Sequence, residues 1–547
     1  MKLMAEVASC ELRVASEEKS SHNSQLTTLF YAIIPFAICS VAAAVRSQGF
    51  LESDGGMHYL LARHALAEPF YFVDVWGRPF CTGLFAIPAT LGGVLGVRLT
   101  SLAAAIGCGL VAFRLAAGQG YRWPALALIF TLGQPLLFLH SFSELTELPF
   151  ALLAGLAMLA YQARRWAAMA LLATLLPLAR PEGLAFVVLA AVALIAHRRW
   201  LWLVLLPTGL IAWSIAGHIL VGPADAPWWR WLIQHWPWGL QSEYGHGSPL
   251  HFILRLPVLV GPFALPAMWI GMGRNLWPIH ETMAWRDARA RMNWVIAALP
   301  LAVLVGHSVL YALGKFSSSG ELRYLLIVAP LWGLLAARGW EWIFTRMNWS
   351  RPLSWAALAV VAPGLVNYAW RILPLEPTTS WLEAQRIAQW YRANPIHDRY
   401  PRILTNHPGI FYYLDVSPAD RRFVEPWEGT AVDHPPAGVL LLWDPQFSAV
   451  NADPDLCVPL RRVIAAGWIN DWKAEWQSNA NNPPPWANYK ITPAPAKPRD
   501  NLLPDTDMLW HIFRSSRDSR GEKTASVERK LGSVRWKQTP GNPLAPP

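Results

Sequence analysis

Two carboxylates and an imidazole fall close together at Glu52, Asp54 and His58, in the run Glu52-Ser53-Asp54-Gly55-Gly56-Met57-His58-Tyr59. A carboxylate so placed can act as general base on an acceptor hydroxyl, with the histidine orienting it or the substrate. Gly55 and Gly56 would let a ligand come close to that carboxylate. The bland reading, a solvated loop after a helix, fits the spacing equally well. Two acids and one histidine are thin grounds for a metal, so no metal site is assigned and a divalent cation is left open.

Three further groups stand out. Glu144 and Glu147 lie in Ser141-Phe142-Ser143-Glu144-Leu145-Thr146-Glu147, at the end of an apolar run. Acids there either cap a helix through its dipole or face a reaction centre and bind acceptor hydroxyls. Arg180-Pro181-Glu182-Gly183 puts an arginine and a glutamate between two apolar helices, where they are costly unless paired or functional. Lys315 to Tyr324, Lys-Phe-Ser-Ser-Ser-Gly-Glu-Leu-Arg-Tyr, leads into another apolar run. Arg323 and Lys315 there suit a phosphate, or a lipid-headgroup anchor with Glu321 compensating. Tryptophans 228, 229, 231, 236 and 238, with His235, Glu243 and His246, fit an aromatic belt at a membrane interface. His407 and Asp415 read as domain surface.

The elements that hold these groups are membrane helices. The 547-residue chain is 54% hydrophobic and 15% charged, and its apolar residues form runs of membrane-crossing length. Eleven spans are expected, near 28–45, 99–117, 123–140, 147–162, 166–180, 183–197, 200–220, 251–273, 293–313, 323–340 and 353–370. Arginine-bearing loops at 164–165, 198–199, 274–291 and 338–351 belong on the cytoplasmic side. With a cytoplasmic N-terminal segment, 1–27, that parity holds only if residues 80–97, broken by Pro88, Gly92, Gly93 and Gly96, lie in the outer interface as a juxtamembrane segment. The first outer loop is then 46–98, inside a transmembrane domain of residues 28–374. Residues 375–515 read as a small extracytoplasmic α/β domain, with strands at 402–405, 439–443 and 508–513 and a helix around 381–391. Residues 516–547 read as a disordered basic tail.

The net charge of +10 does not point to nucleic acid, because loop arginines and the basic tail account for it. Cys10, Cys39, Cys81, Cys108 and Cys457 show no paired spacing, so neither a disulfide framework nor a zinc site is expected. The first apolar run follows a long polar stretch without a cleavage signal and reads as a retained signal anchor.

Taken in order, the motifs resemble the GT-C superfamily of integral-membrane glycosyltransferases, in its protein O-mannosyltransferase and lipid A aminoarabinose transferase branch. The likeness spans about residues 28–375. It rests on the early Asp54 with Tyr59, on Gly77-Arg78-Pro79 before the juxtamembrane segment, and on Arg98-Leu99-Thr100-Ser101-Leu102 opening the next helix. The Ser-Glu loop, Arg-Pro-Glu-Gly and Glu-Leu-Arg-Tyr follow. Many relatives carry Asp-Glu where this chain has Asp54-Gly55, and Lys-Pro-Pro where it has Arg78-Pro79.

The resemblance implies a multi-pass protein of the plasma (inner) membrane that takes a sugar from a polyprenyl-phosphate donor to a hydroxyl of a glycan, lipid or protein acceptor, with inversion, on the outer face. Asp54 would be the base. Glu52, His58, Tyr59, Glu144 and Glu147 would bind donor or acceptor sugar. Arg323, Lys315, Arg180 and Tyr324 would hold the lipid phosphate, supported by Glu182 and Arg78. Base and phosphate clamp flanking one sugar would stand roughly 10–15 Å apart. A lipid or glycan transporter, and a non-catalytic membrane scaffold, are the competing readings.

Overall fold

The protein is seen in a computed structural model that describes residues 30–236, 245–276, 288–316, 318–347, 356–359, 361–362, 365–366, 372–393, 396–420, 423–424, 437–444, 469–474 and 510–514. The chain divides into two compact units, one holding 1–242, 246–375 and 488–491, the other 243–245, 376–487 and 492–547. Segments 1–27 and 516–547, and most of the expected span at 353–370, lie outside the described residues.

The first unit is helical. Helix α1, Phe30–Arg46, turns Phe30, Ile34, Ile38, Val41 and Val45 outward and buries Ser40, whose Oγ lies 2.8 Å from Ser141 Oγ. A helix whose apolar stripe faces out while a serine points in is built for lipid. Helix α2, Ser53–His64, carries the first acidic group, and a 3-10 turn, Pro69–Val73, follows. Arg78 then takes a left-handed conformation (φ 61°) ahead of Pro79, which opens α3, Pro79–Gly118. Gly93 (φ 58°, ψ −147°) breaks α3 in two. That geometry is open to glycine and strained for any side chain. The limbs fold so tightly that a Cβ on Gly96 would meet the Pro88 carbonyl at 2.2 Å. The break therefore falls five residues before Arg98, where the sequence placed the change from interfacial segment to span.

Helices α6 (Glu147–Gln162), α7 (Trp166–Ala179) and α8 (Gly183–Ala196) end within a residue of the expected spans. Two other expectations are corrected. Residues 123–140 form two short helices, α4 (Ala125–Leu132) and α5 (Pro135–His140), because Pro135 withholds an N–H and Gln134 before it is extended. Residues 251–273 form α11 (His251–Val260) and α12 (Leu265–Leu276), bent by 110° across Gly261 (φ 98°), and not one straight span. Between these groups lie α9 (Thr208–Leu220) and α10 (Trp229–His235), and after them α13 (Ala288–Leu313).

Among the described residues four helical stretches are long and apolar enough to cross a membrane: Pro79–Gly118, Trp200–Leu220, Ala288–Leu313 and Leu322–Arg346. The bent pair makes a fifth if taken as one span. The core sits on α14 (Ala329–Arg346), entered through a 3-10 segment, Leu322–Val328. Its glycines let backbones touch: a Cβ on Gly339 would meet Ala267 O at 1.8 Å, and one on Gly333 would meet Thr131 Oγ1 at 2.0 Å. Small residues at such crossings are how helices pack where lipid removes the hydrophobic drive.

The second unit holds a helix, Thr379–Ala393, and a five-stranded mixed sheet in the order β2-β1-β3-β5-β4. Its strands are β1 (Arg402–Leu404), β2 (Phe423–Val424), β3 (Val439–Trp443), β4 (Ile469–Ala474) and β5 (Trp510–Arg514). β1 runs parallel to β2 and β3, while β5 is antiparallel to β3 and β4. The fully apolar Val439-Leu440-Leu441-Leu442-Trp443 is buried throughout, as a central strand requires. His407 is a correction: it is wholly buried, not surface. Its Nδ1 accepts the Gly409 N–H, so its Nε2 carries the proton and donates to Ser380 Oγ at 2.6 Å. A histidine held in that tautomer caps a helix and cannot serve Ser380 as a base.

Candidate active site

Arg323 is the hub of a carboxylate cluster in the first unit. The 3-10 segment after Glu321 carries it inward until its side chain is 8% exposed. Its Nη2 donates to Asp54 Oδ2 at 2.6 Å, and its Nη1 lies 3.1 Å from Glu52 Oε2. Its Nε donates to Glu321 Oε2 and lies 3.7 Å from Glu147 Oε1. Asp54 and Glu52 reach it because the turn into α2 is only two residues from Glu52 to Asp54, with Glu52 extended as the N-cap.

Arg180 is the second cation. Its Nη1 donates to Glu147 Oε1 at 2.6 Å and to Thr146 Oγ1 at 3.2 Å, and its Nη2 donates to Glu182 Oε1 at 2.9 Å. Glu147 thus lies between both guanidinium groups, with a fully buried side chain. Tyr324 sits beneath the pair, its ring 5.5 Å from Arg180 Cζ and 5.8 Å from Arg323 Cζ, and its hydroxyl 2.7 Å from Ser319 Oγ. Both contacts are within cation–π range. Arg78 is near enough to feel the charges of Arg180, Glu182 and Asp54, and its Nη1 donates to the Val75 carbonyl at 3.0 Å.

The carboxylates are not equivalent. Glu147 is closed off, while the side chains of Glu52, Glu321 and Asp54 are 29%, 33% and 45% exposed, so Asp54 is the most open to an incoming group. Burial would raise the pKa of Asp54, but the Arg323 charge and hydrogen bond outweigh it and hold it below the ordinary range. Burial pushes Glu52 well above that range despite Arg323, and it raises Glu321 as well. One acid beside the arginine is therefore ionised and another tends to keep its proton, the separation that acid–base sites use.

His58 follows Asp54 by one helical turn. Its ring stacks on Trp76 at 4.8 Å and 24°. Burial lowers its pKa to about 4 although Asp54 favours the cation, so it is a neutral imidazole at pH 7. Tyr59 rests on Phe50, ring centres 6.4 Å apart, and its hydroxyl lies 3.8 Å from where a Cβ on Gly93 would stand.

Several expectations change. Asp54 and Arg323 are in direct contact, not 10–15 Å apart, because buried charges without a counter-ion are costly and neutralise one another locally. Glu144 is paired instead with Arg98 at 2.7 Å. Lys315 makes no ion pair among the described residues. Among the described tryptophans of 221–250, Trp231 and Trp236 pack on Trp213, whose Nε1 donates to Val73 O at 2.9 Å. Trp238 and Glu243 lie outside the described residues.

Sequence reasoning took Glu321 as a compensating charge in a lipid-headgroup anchor and did not place it in the cluster with Asp54. It also missed His307, whose ring stacks on Tyr324 at 5.3 Å. A lone histidine in an apolar helix was the available signal. Among the described residues no group of three or more His, Cys, Asp or Glu is arranged to hold a metal ion.

No protein-family model matches this sequence, and no curated protein matches it. A fold comparison does succeed. The chain is similar to ArnT from Cupriavidus metallidurans, solved in a crystal structure with undecaprenyl phosphate bound. The TM-score is 0.51 at 14% identity, over 78% of this chain and 93% of that one. At that identity the likeness establishes a shared fold and nothing finer. The fold is that of a polytopic helical membrane protein, in keeping with the outward apolar face of α1 and the long apolar helices.

Proposed function

We propose that this protein is an inverting membrane glycosyltransferase that takes a sugar from a polyprenyl-phosphate donor. The observation that carries the reading is the contact of a half-open carboxylate, Asp54, with a buried arginine that holds three other acids. Asp54 takes the proton of an acceptor hydroxyl as that oxygen bonds to the anomeric carbon. The bond from that carbon to the phosphate oxygen breaks with it, and the lipid phosphate leaves with the electron pair. Arg323 and Arg180 stabilise the departing charge, and fixed guanidinium groups in a site shielded from water do so strongly. The similar ArnT structure has a polyprenyl phosphate bound, which supports this class of donor.

The donor phosphate and the carboxylates compete for the same N–H groups. As phosphate takes Arg323, Asp54 loses the charge that depressed its pKa and becomes a stronger base. Donor binding and base activation are then one event. Glu147, closed off between the arginines, keeps the two guanidinium groups together, while Glu52, His58 and Tyr59 border the acceptor side. The site lies on the outer face of the plasma (inner) membrane, with the N-terminus cytoplasmic and the second unit outside, and the acceptor is a glycan, lipid or protein.

Transfer from polyprenyl-phosphate sugars by membranes bearing Asp54→Asn tests the proposal. Loss of product at unchanged expression is expected. Normal transfer by this variant, or substrate flux in proteoliposomes without covalent product, would overturn it.

A further inference from the structure

The fully buried Glu144 and the nearly buried Arg98 grip the backbone on both sides of Asp54. Arg98 Nε donates to Glu144 Oε1 at 2.7 Å. Its Nη1 donates to the carbonyls of Ala44 at 2.9 Å and Ser47 at 2.6 Å, and its Nη2 to that of Gly49 at 2.7 Å. The N–H groups of the same loop are held from the other side: Gln48 and Gly49 each donate to the Leu375 carbonyl at 3.0 Å, and Leu375 N–H donates to Ser47 Oγ at 3.0 Å. Residues 47–49 are thus clamped between a guanidinium and a peptide group, five residues before Asp54.

The other jaw is Glu144 itself. Its Oε2 is buried without a hydrogen-bond partner and lies 3.0 Å from where a Cβ on Gly55 would stand. Gly55, the residue after Asp54, is small here so that a glutamate can sit beneath the backbone. A side chain at Gly55 would press on Glu144, and the loop before Asp54 is tied through Arg98 to the Ala44 carbonyl of α1.

We infer that Arg98 and Glu144 are positioning residues for Asp54, fixing the height and direction of its carboxylate relative to Arg323 without touching substrate. The inference rests on the glycosyltransferase reading. Displacement of a reacting group by about 1 Å costs up to 10²-fold in rate, so a clamp on both flanks of the base is a catalytic device as well as a packing one. Lysine cannot replace Arg98, because one ammonium cannot serve a carboxylate and three separated carbonyls.

The test compares Arg98→Lys, Glu144→Gln and Gly55→Ala in purified, detergent-folded protein, with polyprenyl-phosphate sugar as donor. Each is expected to lower kcat by about 10- to 100-fold while leaving the donor KM within about twofold, since Arg323 and Arg180 keep their contacts. Gly55→Ala reaches the same flank with no change of charge and serves if Arg98→Lys fails to fold. Wild-type kcat in both Arg98→Lys and Gly55→Ala overturns the inference, as does a donor KM that rises in step with the fall in kcat. Asp54→Asn, measured alongside, separates the two ideas. Normal transfer by Asp54→Asn removes the glycosyltransferase reading, whereas a dead Asp54→Asn beside wild-type Arg98→Lys and Gly55→Ala removes only the clamp.

Discussion

Arg98 and Arg323 are buried alike and surrounded differently. Arg98 meets one carboxylate and three backbone carbonyls, so four of its five N–H groups are engaged and its charge is matched by Glu144. Arg323 meets four carboxylates, of which three retain solvent exposure. A guanidinium bound to the main chain cannot let go without unfolding the loop. One bound to exposed side chains can exchange them for another anion. The first arrangement builds a site and the second operates it.

Breaking the second arrangement has the largest expected effect. Arg323→Met removes the phosphate partner and leaves Asp54, Glu52 and Glu321 without a shared cation. Transfer is expected to fall at least about 100-fold, the scale of losing one charge-stabilising donor. Donor turnover within tenfold of wild type would assign the phosphate elsewhere.

The contrast is sharpened by a change of opposite sign. Glu321→Gln removes a competitor for Arg323, so polyprenyl phosphate is expected to bind about 1.5- to 5-fold tighter in nanodisc titrations, the scale of a partly exposed ion pair. Weaker binding would show that Glu321 belongs with the phosphate ligands and not against them.

His58 supplies a pH signature. Its pKa near 4 in the folded chain lies below the 6.5 of the free side chain, so the unfolded state binds the extra proton first as pH falls. Stability from this group is complete above pH 6.5 and declines between 6.5 and 4, by about 3 kcal/mol in full. His58→Gln should flatten that part of the melting-temperature profile. An unchanged slope would mean that His58 is protonated in place. Lys315→Gln comes last, with an expected change in donor KM under about twofold, because Lys315 pairs with none of the acids among the described residues; a tenfold rise would move it into the phosphate site.

Short polar motifs were legible because they interrupt apolar sequence. Asp54, Arg180, Glu182 and Arg323 were visible for that reason, as were α6, α7 and α8 from hydropathy alone. The pairings were not legible. Nothing periodic links Asp54 to Arg323 across 269 positions, or Arg98 to Glu144 across 46. Glu144 read as a helix cap or a sugar ligand, since a capping acid, a ligand and a buried structural acid have the same sequence signature. The separation expected for Asp54 and Arg323 assumed a substrate between them. The bends at Pro135 and Gly261 were missed for a local reason: 123–140 and 251–273 each hold several glycines and prolines, and hydropathy does not say which of them yields.

Glu147 opens α6 and Arg180 follows the end of α7, and the 2.6 Å bond between them joins the two ends of one hairpin. Arg180 has Glu182 beside it in sequence, but α6 alone would carry Glu147 at the head of an apolar helix with no counter-ion of its own, where a lone charge is costly. Arg180 supplies that counter-ion. The bond thus bears on biogenesis: α6 has reason to wait at the membrane-insertion machinery until α7 and Arg180 have been synthesised, and to enter the bilayer with them.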